Sequence, residues 1–277
     1  MNNAIRPAPG IAGRSKRKAL GQHFLHHKGI LQRIVRVIDP HPDEVIVEVG
    51  AGKGALTFLL IEKKAKVIAI EKDLSLVPLL EKQVFPNLTV LAADVLKVDF
   101  SGLLREKKAK IIGNLPYVIS SPLLFKVLQD KDLFTSCVFL LQKEFAHRLC
   151  AGPGTKKYAP LSILFQNDFV TRLHFEVPAS MFSPPPKVES ALVSLKHRGQ
   201  PLYSIPNKDA FRLFLKSAFR SRRKTLSNNM KMSGIPPSRI RESFLACAID
   251  GNSRAEQLSL RDFVALYTFL HEGLPKP

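Results

Sequence analysis

The feature that most constrains the fold is an alternation. Short runs of β-branched and aliphatic residues at 45–49, 66–70, 88–92, 109–113 and 137–141 are separated by stretches of helical periodicity. Strands joined by helical crossovers fold into a parallel, doubly wound α/β sheet. A late run at 191–195 is expected to close that sheet. After about residue 200 the strand pattern stops. Between Asn207 and Met230, the residues Phe211, Phe214, Leu215, Ala218 and Phe219 recur at helical spacing, while Lys216, Arg220 and Arg223 fall on another face. That predicts one amphipathic helix with a basic stripe. Two more helices are expected over 238–249 and 259–272, the second opened by Ser259 with Asp262 three residues on and followed by Gly273. The chain therefore reads as a basic arm over 1–28, an α/β domain over 29–200 and a small all-helical domain over 201–277.

A chain of 277 residues buries an ordinary core in one or two domains, so the placement of its charge is more informative than its size. The net charge is +19. Residues 1–28 hold six Lys and Arg and no acid, and residues 196–241 hold twelve with Asp209 as their single acid. Excess confined to two segments suits a polyanionic partner. A membrane surface is the rival polyanion, but outside 211–219 no basic segment carries a bulky apolar face. No apolar run approaches a membrane span, and no membrane partner is expected. Cys137, Cys150 and Cys247 are far apart, which argues against a zinc site or a disulfide framework and fits a reducing compartment. The first twenty residues lack the apolar centre of a secretory signal, so a cytoplasmic protein is expected. They are also basic and free of acids, as organelle transit peptides are, and that reading stays open. His23, His26 and His27 fit no zinc pattern, and no metal is expected.

Glu48 is in the first strand, and Gly50, Gly52 and Gly54 follow it, ahead of a helix that begins near Ala55. Glycines there let a ligand approach the backbone at a helix N-terminus. Their G-x-G-x-G spacing differs from the G-x-G-x-x-G of a pyrophosphate-bearing dinucleotide. Glu71 ends the next strand, where a carboxylate accepts from ribose hydroxyls, and Asp94 ends the third. Ligands in such sheets sit beyond the carboxyl ends of the strands, so these features converge on one crevice. An adenosine-containing cofactor without a pyrophosphate fits best, and S-adenosylmethionine is one. Asn114, Leu115, Pro116 and Tyr117 follow the fourth strand at the same edge. An amide oxygen and a backbone carbonyl there can each accept a hydrogen of an exocyclic amine such as adenine N6. That localises the nitrogen lone pair for attack on a methyl sulfonium, and Tyr117 offers a ring for stacking an extruded base.

The ordered set of motifs resembles the ribosomal RNA adenine N6,N6-dimethyltransferases. Leu20, Gly21, Gln22, His23, Phe24 and Leu25 are similar to the family's N-terminal cofactor motif, although many bacterial members have Asn where this chain has His23. The glycine loop, Glu71, Asp94 and the run Asn114 to Tyr117 follow in the family's order. Residues 177–188 resemble its aromatic-proline motif, and residues 219–229 the start of its helical domain. The resemblance implies a Rossmann-like methyltransferase fold and S-adenosylmethionine as cofactor. Gln22, His23 and Leu25 would close over its methionine end, and Gly50 and Gly52 would let it approach. Glu71, with Lys72 beside it, would hold the ribose, and Asp94 and Val95 the adenine. Asn114 and the Leu115 carbonyl would grip the target N6, with Tyr117 and Phe182 stacking on the flipped base. Lys16, Arg17, Lys18, Lys187, Lys216, Arg220, Arg222, Arg223 and Lys224 are the expected RNA contacts. The implied substrate is a pair of adjacent adenosines near the 3′ end of small-subunit ribosomal RNA in a pre-ribosomal particle, met by a monomer. A large-subunit enzyme conferring macrolide resistance and a non-catalytic assembly factor are the alternatives. The intact helical region after 206 favours the small-subunit group, and Asn114 with the glycines favours catalysis.

Overall fold

The computed structural model describes residues 22–82 and 84–272. A two-residue strand, β1 (Phe24–Leu25), leads into helix α1 (Lys28–Ile38). Then come β2 (Val45–Val49), α2 (Thr57–Glu62), β3 (Lys66–Glu71), α3 (Val77–Glu81), β4 (Leu88–Ala92) and α4 (Phe100–Leu104). The alternation continues with β5 (Ala109–Asn114), α5 (Tyr117–Gln129), β6 (Phe134–Gln142), α6 (Lys143–Cys150) and α7 (Pro160–Asp168). Strands β7 (Phe169–Val177), β8 (Phe182–Ser183) and β9 (Ser190–His197) precede helices α8 (Lys208–Ala218), α9 (Leu226–Met232), α10 (Pro237–Ala246) and α11 (Leu260–Glu272).

Seven strands form one sheet in the order β4-β3-β2-β5-β6-β9-β7. The pairs β3–β4, β2–β3, β2–β5 and β5–β6 are parallel. From β2 the chain winds outward through β3 and β4, then restarts on the other side at β5. The carboxyl ends of β2 and β5 therefore flank the switch point, where α/β sheets open a ligand crevice. Val49 stands opposite Gly113 in this pairing. A Cβ at Gly113 would lie 2.7 Å from the Val49 carbonyl oxygen, so only glycine fits. Strands covered on both faces need apolar residues at every position. Ile46, Val47, Ile111 and Ile112 meet that need and are fully buried.

The expected late strand is present as β9, but it lies between β6 and a strand the sequence pattern does not show. That strand, β7, ends the sheet, and Thr171, Arg172, His174 and Glu176 interrupt its apolar run. Half-exposure at a sheet edge tolerates those residues and hides the strand from a search for apolar runs. One compact unit holds the chain up to Lys143 together with His174–Ser194. The other holds Glu144–Leu173 together with the chain from Leu195 onward. The first is built on Ile46, Leu60, Val67, Ile112, Val138 and Leu192, the second on Tyr158, Phe211, Leu215, Leu226 and Phe263. Tyr158 and Ile163 thus bring a segment ahead of β7 into the helical core.

The single helix expected between Asn207 and Met230 is two. Helix α8 stops at Ala218, and Thr225 caps α9 by accepting from the Asn228 N–H. Between them the buried Asn229 side chain donates to the carbonyls of Ala218 at 2.8 Å and Ser221 at 2.9 Å, and accepts from the Ser221 N–H at 3.1 Å. Those bonds reward a turn where helical periodicity alone would continue. Lys216 therefore stands on α8, whereas Arg220 and Arg223 belong to the turn after it. Ser259 and Asp262 do open α11 reciprocally, the Ser259 N–H donating to Asp262 at 2.8 Å and the Asp262 N–H to Ser259 Oγ at 3.3 Å. Replacing Asn229 by Ala leaves buried backbone groups unpaired and is expected to cost about 1–3 kcal/mol. The check is chemical denaturation, in which the midpoint falls; an unchanged midpoint would dismiss Asn229 as the element that fixes this turn.

Candidate functional site

Every cofactor-site and catalytic residue expected from the sequence lies in the first compact unit. Gly50 and Gly52 follow β2 with φ of 70° and 61°, conformations that favour glycine. Their loop is held by Glu71, the last residue of β3. One Glu71 oxygen accepts from the Gly52 N–H at 2.8 Å, and the other accepts from the Asp73 N–H at 2.8 Å. The carboxylate is buried, and each oxygen keeps lone-pair capacity for a further donor.

Asp94 follows β4 and accepts from Lys72 Nζ at 2.9 Å and from the Leu96 N–H at 3.1 Å. The hydrogen bond from Lys72 holds the Asp94 carboxyl below the ordinary range, burial opposing it. Lys72 is therefore engaged with Asp94. A cavity of about 190 Å³ is lined by Glu71, Lys72, Asp94, Val95, Gln22 and Pro116, among others. Gln22 Nε2 donates to Asp73 at 3.4 Å, while its buried Oε1 has no hydrogen-bond partner among the described residues. An orphaned acceptor in such a cavity calls for a ligand donor.

The loop expected to carry the chemistry stands beside it at the end of β5. Asn114 Nδ2 donates to the His23 carbonyl at 2.8 Å, which leaves Asn114 Oδ1 without a partner among the described residues. A second, tighter cavity is lined by Gln22, His23, Gly50, Gly52, Glu71, Asn114, Leu115, Tyr117 and Phe182. Gly50, Gln22, Glu71 and Pro116 border both cavities. Tyr117 Oη and Ser190 Oγ are 3.1 Å apart, and burial holds the phenol above its ordinary value, so it is neutral at physiological pH. The His23 ring lies 6.1 Å from that of Tyr117, and His23 Nδ1 is 2.7 Å from the Pro184 carbonyl oxygen. Phe182 is buried in the core of this unit as well as bordering the cavity. It pairs with Leu25 across the short antiparallel strands β1 and β8. His27 is engaged at the N-terminus of α1, where Nδ1 accepts from the Ile30 N–H at 3.3 Å.

The basic residues divide. Lys187 is exposed in the first unit. Lys216, Arg220, Arg222, Arg223 and Lys224 are exposed in the second. Lys16, Arg17 and Lys18 lie outside the described residues.

The model of the family described as ribosomal RNA adenine dimethylase matches residues 13–272. The chain belongs to that family. It is 43% identical to a protein of Geobacter metallireducens named ribosomal RNA small subunit methyltransferase A, over 90% of this chain and 94% of that one. A protein of the same name from Geobacter sulfurreducens is 41% identical, over 90% and 93%. Among solved structures, a dimethyladenosine transferase from Plasmodium falciparum superposes with a TM-score of 0.78 at 28% identity, covering 91% of this chain and 99% of that chain. The fold is that of a Rossmann-like methyltransferase with C-terminal helices.

Sequence reasoning gave no role to Glu48, the first residue of the glycine motif. It is buried, accepts from Thr57 Oγ1 at 2.6 Å, and borders a cavity of about 570 Å³ that reaches Gly50, Gly52 and Asn114. Burial pushes its carboxyl up to about 8, the Thr57 hydrogen bond opposing and Glu71 adding to the rise. Only the fold reveals this, because the sequence does not show that a carboxyl near the end of β2 is covered rather than solvated. A carboxyl raised in the folded state binds its proton more tightly there than in the unfolded chain. Its contribution to stability is present at low pH and is lost as pH rises from the ordinary carboxylate range to about 8. Glu48→Gln keeps a neutral acceptor for Thr57. Its melting temperature is expected to rise relative to the unaltered protein as pH increases through that window. Parallel melting curves across the window would show that Glu48 is ionised in the folded protein.

Proposed function

We propose that the chain transfers methyl groups from S-adenosylmethionine to N6 of two adjacent adenosines near the 3′ end of small-subunit ribosomal RNA. The work takes place in the cytoplasm, during subunit assembly, by a monomer whose α/β domain over 29–200 carries the chemistry and whose residues 201–277 bind RNA. The observation that carries the reading is Asn114: an amide fixed by the His23 carbonyl, with a free oxygen beside the cavity that Glu71 borders. The relatives named for the small subunit, at 38–43% identity, support that substrate over the large-subunit alternative.

The residues present suit the cofactor. Glu71 has acceptor capacity for two ribose hydroxyls, Asp94 is a partly exposed acceptor for an adenine amine, and Gln22 Oε1 awaits a donor. Gln22, His23 and Leu25 would close over the methionine end, Gly50 and Gly52 would let it approach, and Lys72 and Val95 would stand with Glu71 and Asp94 at the nucleoside. When bound, the cofactor supplies an electrophilic methyl on a sulfonium. The protein prepares the nucleophile. Asn114 Oδ1 and the Leu115 carbonyl each accept one N6 hydrogen, which draws the nitrogen out of conjugation and localises its lone pair. Tyr117 supplies a neutral ring for the extruded base, and Phe182 closes the cavity from the core side. Lys16, Arg17, Lys18, Lys187, Lys216, Arg220, Arg223 and Lys224 hold the RNA, and Arg222, expected with them, is engaged by backbone carbonyls. Among the described residues no helix is long and apolar enough to cross a membrane, and no group of three candidate metal ligands occurs.

Two variants test the assignments. Glu71→Ala removes charge-assisted hydrogen bonds and is expected to weaken S-adenosylmethionine binding roughly ten- to hundredfold. Unchanged affinity by calorimetry would take Glu71 out of the site. Asn114→Ala should bind RNA and cofactor almost normally, because many phosphate contacts carry the affinity. Its interaction grows as N6 pyramidalises, so single-turnover methylation is expected to slow by about 10²–10³. A near-normal rate would sink the role given to Asn114.

A further inference from the structure

Arg222 stands among the cations expected to meet RNA, yet its guanidinium is already engaged. It donates to the main-chain carbonyls of Lys156 and Tyr158, the latter at 3.2 Å. Those carbonyls belong to the connection between α6 and α7, in the same compact unit. That connection is held elsewhere too. The Gly154 N–H donates to the Glu256 carbonyl at 2.7 Å, Thr155 Oγ1 donates to the Gly152 carbonyl at 2.8 Å, and the fully buried Tyr158 ring meets Phe219 edge-on at 6.2 Å. Arg222 thereby ties the turn 152–157 to the turn 220–224.

The two turns carry six cations, Lys156, Lys157, Arg220, Arg222, Arg223 and Lys224, and no acid. Lys157 pairs with Glu144 at 3.3 Å, Lys208 with Asp168 at 3.5 Å, Arg212 with Asp209 at 3.3 Å and Arg239 with Glu242 at 3.8 Å. Lys156 and Arg223 are exposed and have no ion pair among the described residues. Among the described residues Arg220 and Lys224 meet only neutral acceptors, the Met232 carbonyl at 3.1 Å and the Met232 sulfur at 3.4 Å. Cations without acids, carried on backbone that is already pinned, can meet a row of phosphates with little further ordering cost.

We propose that Lys156 is a further phosphate-binding residue for the RNA substrate, held in register with Arg220, Arg223 and Lys224 by Arg222. Arg222 is then a positioning residue: its fork bridges two carbonyls, and its charge does not contact phosphate. The inference rests on the reading of RNA as substrate and extends its footprint to a loop ahead of β7, outside the two strongly basic segments.

The test is equilibrium binding of the full chain to small-subunit ribosomal RNA across a series of KCl concentrations. Lys156→Gln should lower the slope of log affinity against log salt by one contact, about 0.7–0.9, with S-adenosylmethionine binding and melting temperature unchanged. Arg222→Lys keeps the charge but cannot bridge both carbonyls. It should lower the slope by a similar amount in the unaltered protein and by nothing further in the Lys156→Gln background. A steep salt response that Lys156→Gln leaves intact overturns this inference alone. A normal slope for Arg222→Lys overturns the positioning role. A flat response in the unaltered protein overturns the RNA reading, and this inference with it.

Discussion

The pairing of β2 with β5 sets Val49 opposite Gly113, and no side chain larger than hydrogen fits at position 113. Two strands that are distant in sequence can then end side by side, one turning into the glycine loop and the other into Asn114. Were that register lost, the loop, Glu71 and the amide would no longer face a common space. The winding order supplies the place, and the missing Cβ supplies the proximity.

Around this junction the geometry is fixed by side chains that bind backbone. Glu71 grips the Gly52 and Asp73 N–H groups, Asp94 caps the turn at Leu96, and Asn114 holds the His23 carbonyl. Each of these groups is satisfied on one side and retains capacity on the other. A site built this way needs little rearrangement to receive a nucleoside, which is the physical content of preorganisation. The same device recurs in the helical unit, where Asn229 and Arg222 hold turns through their carbonyls.

The sequence made the buried parallel strands legible, because burial on both faces demands uninterrupted apolar residues. It also exposed the glycine loop and the acids after β3 and β4, whose spacing is itself the signal. Strand β7 escaped because an edge strand tolerates Thr171, Arg172, His174 and Glu176. Strands β1 and β8 are two residues each, too short to carry any period. The break between α8 and α9 was invisible because it depends on Asn229 reaching back to Ala218 and Ser221. Glu48 and Arg222 show a similar limit. Residue type marked both, but the covering of one and the carbonyl partners of the other belong to tertiary structure.

The partner that orients Asn114 is the main-chain oxygen of residue 23, not its imidazole. Every amino acid carries that oxygen, so no substitution at this position can delete it. The ring makes a separate link, to Pro184. The path of the chain at residue 23, rather than the identity of its side chain, therefore sets the bearing of the Asn114 amide.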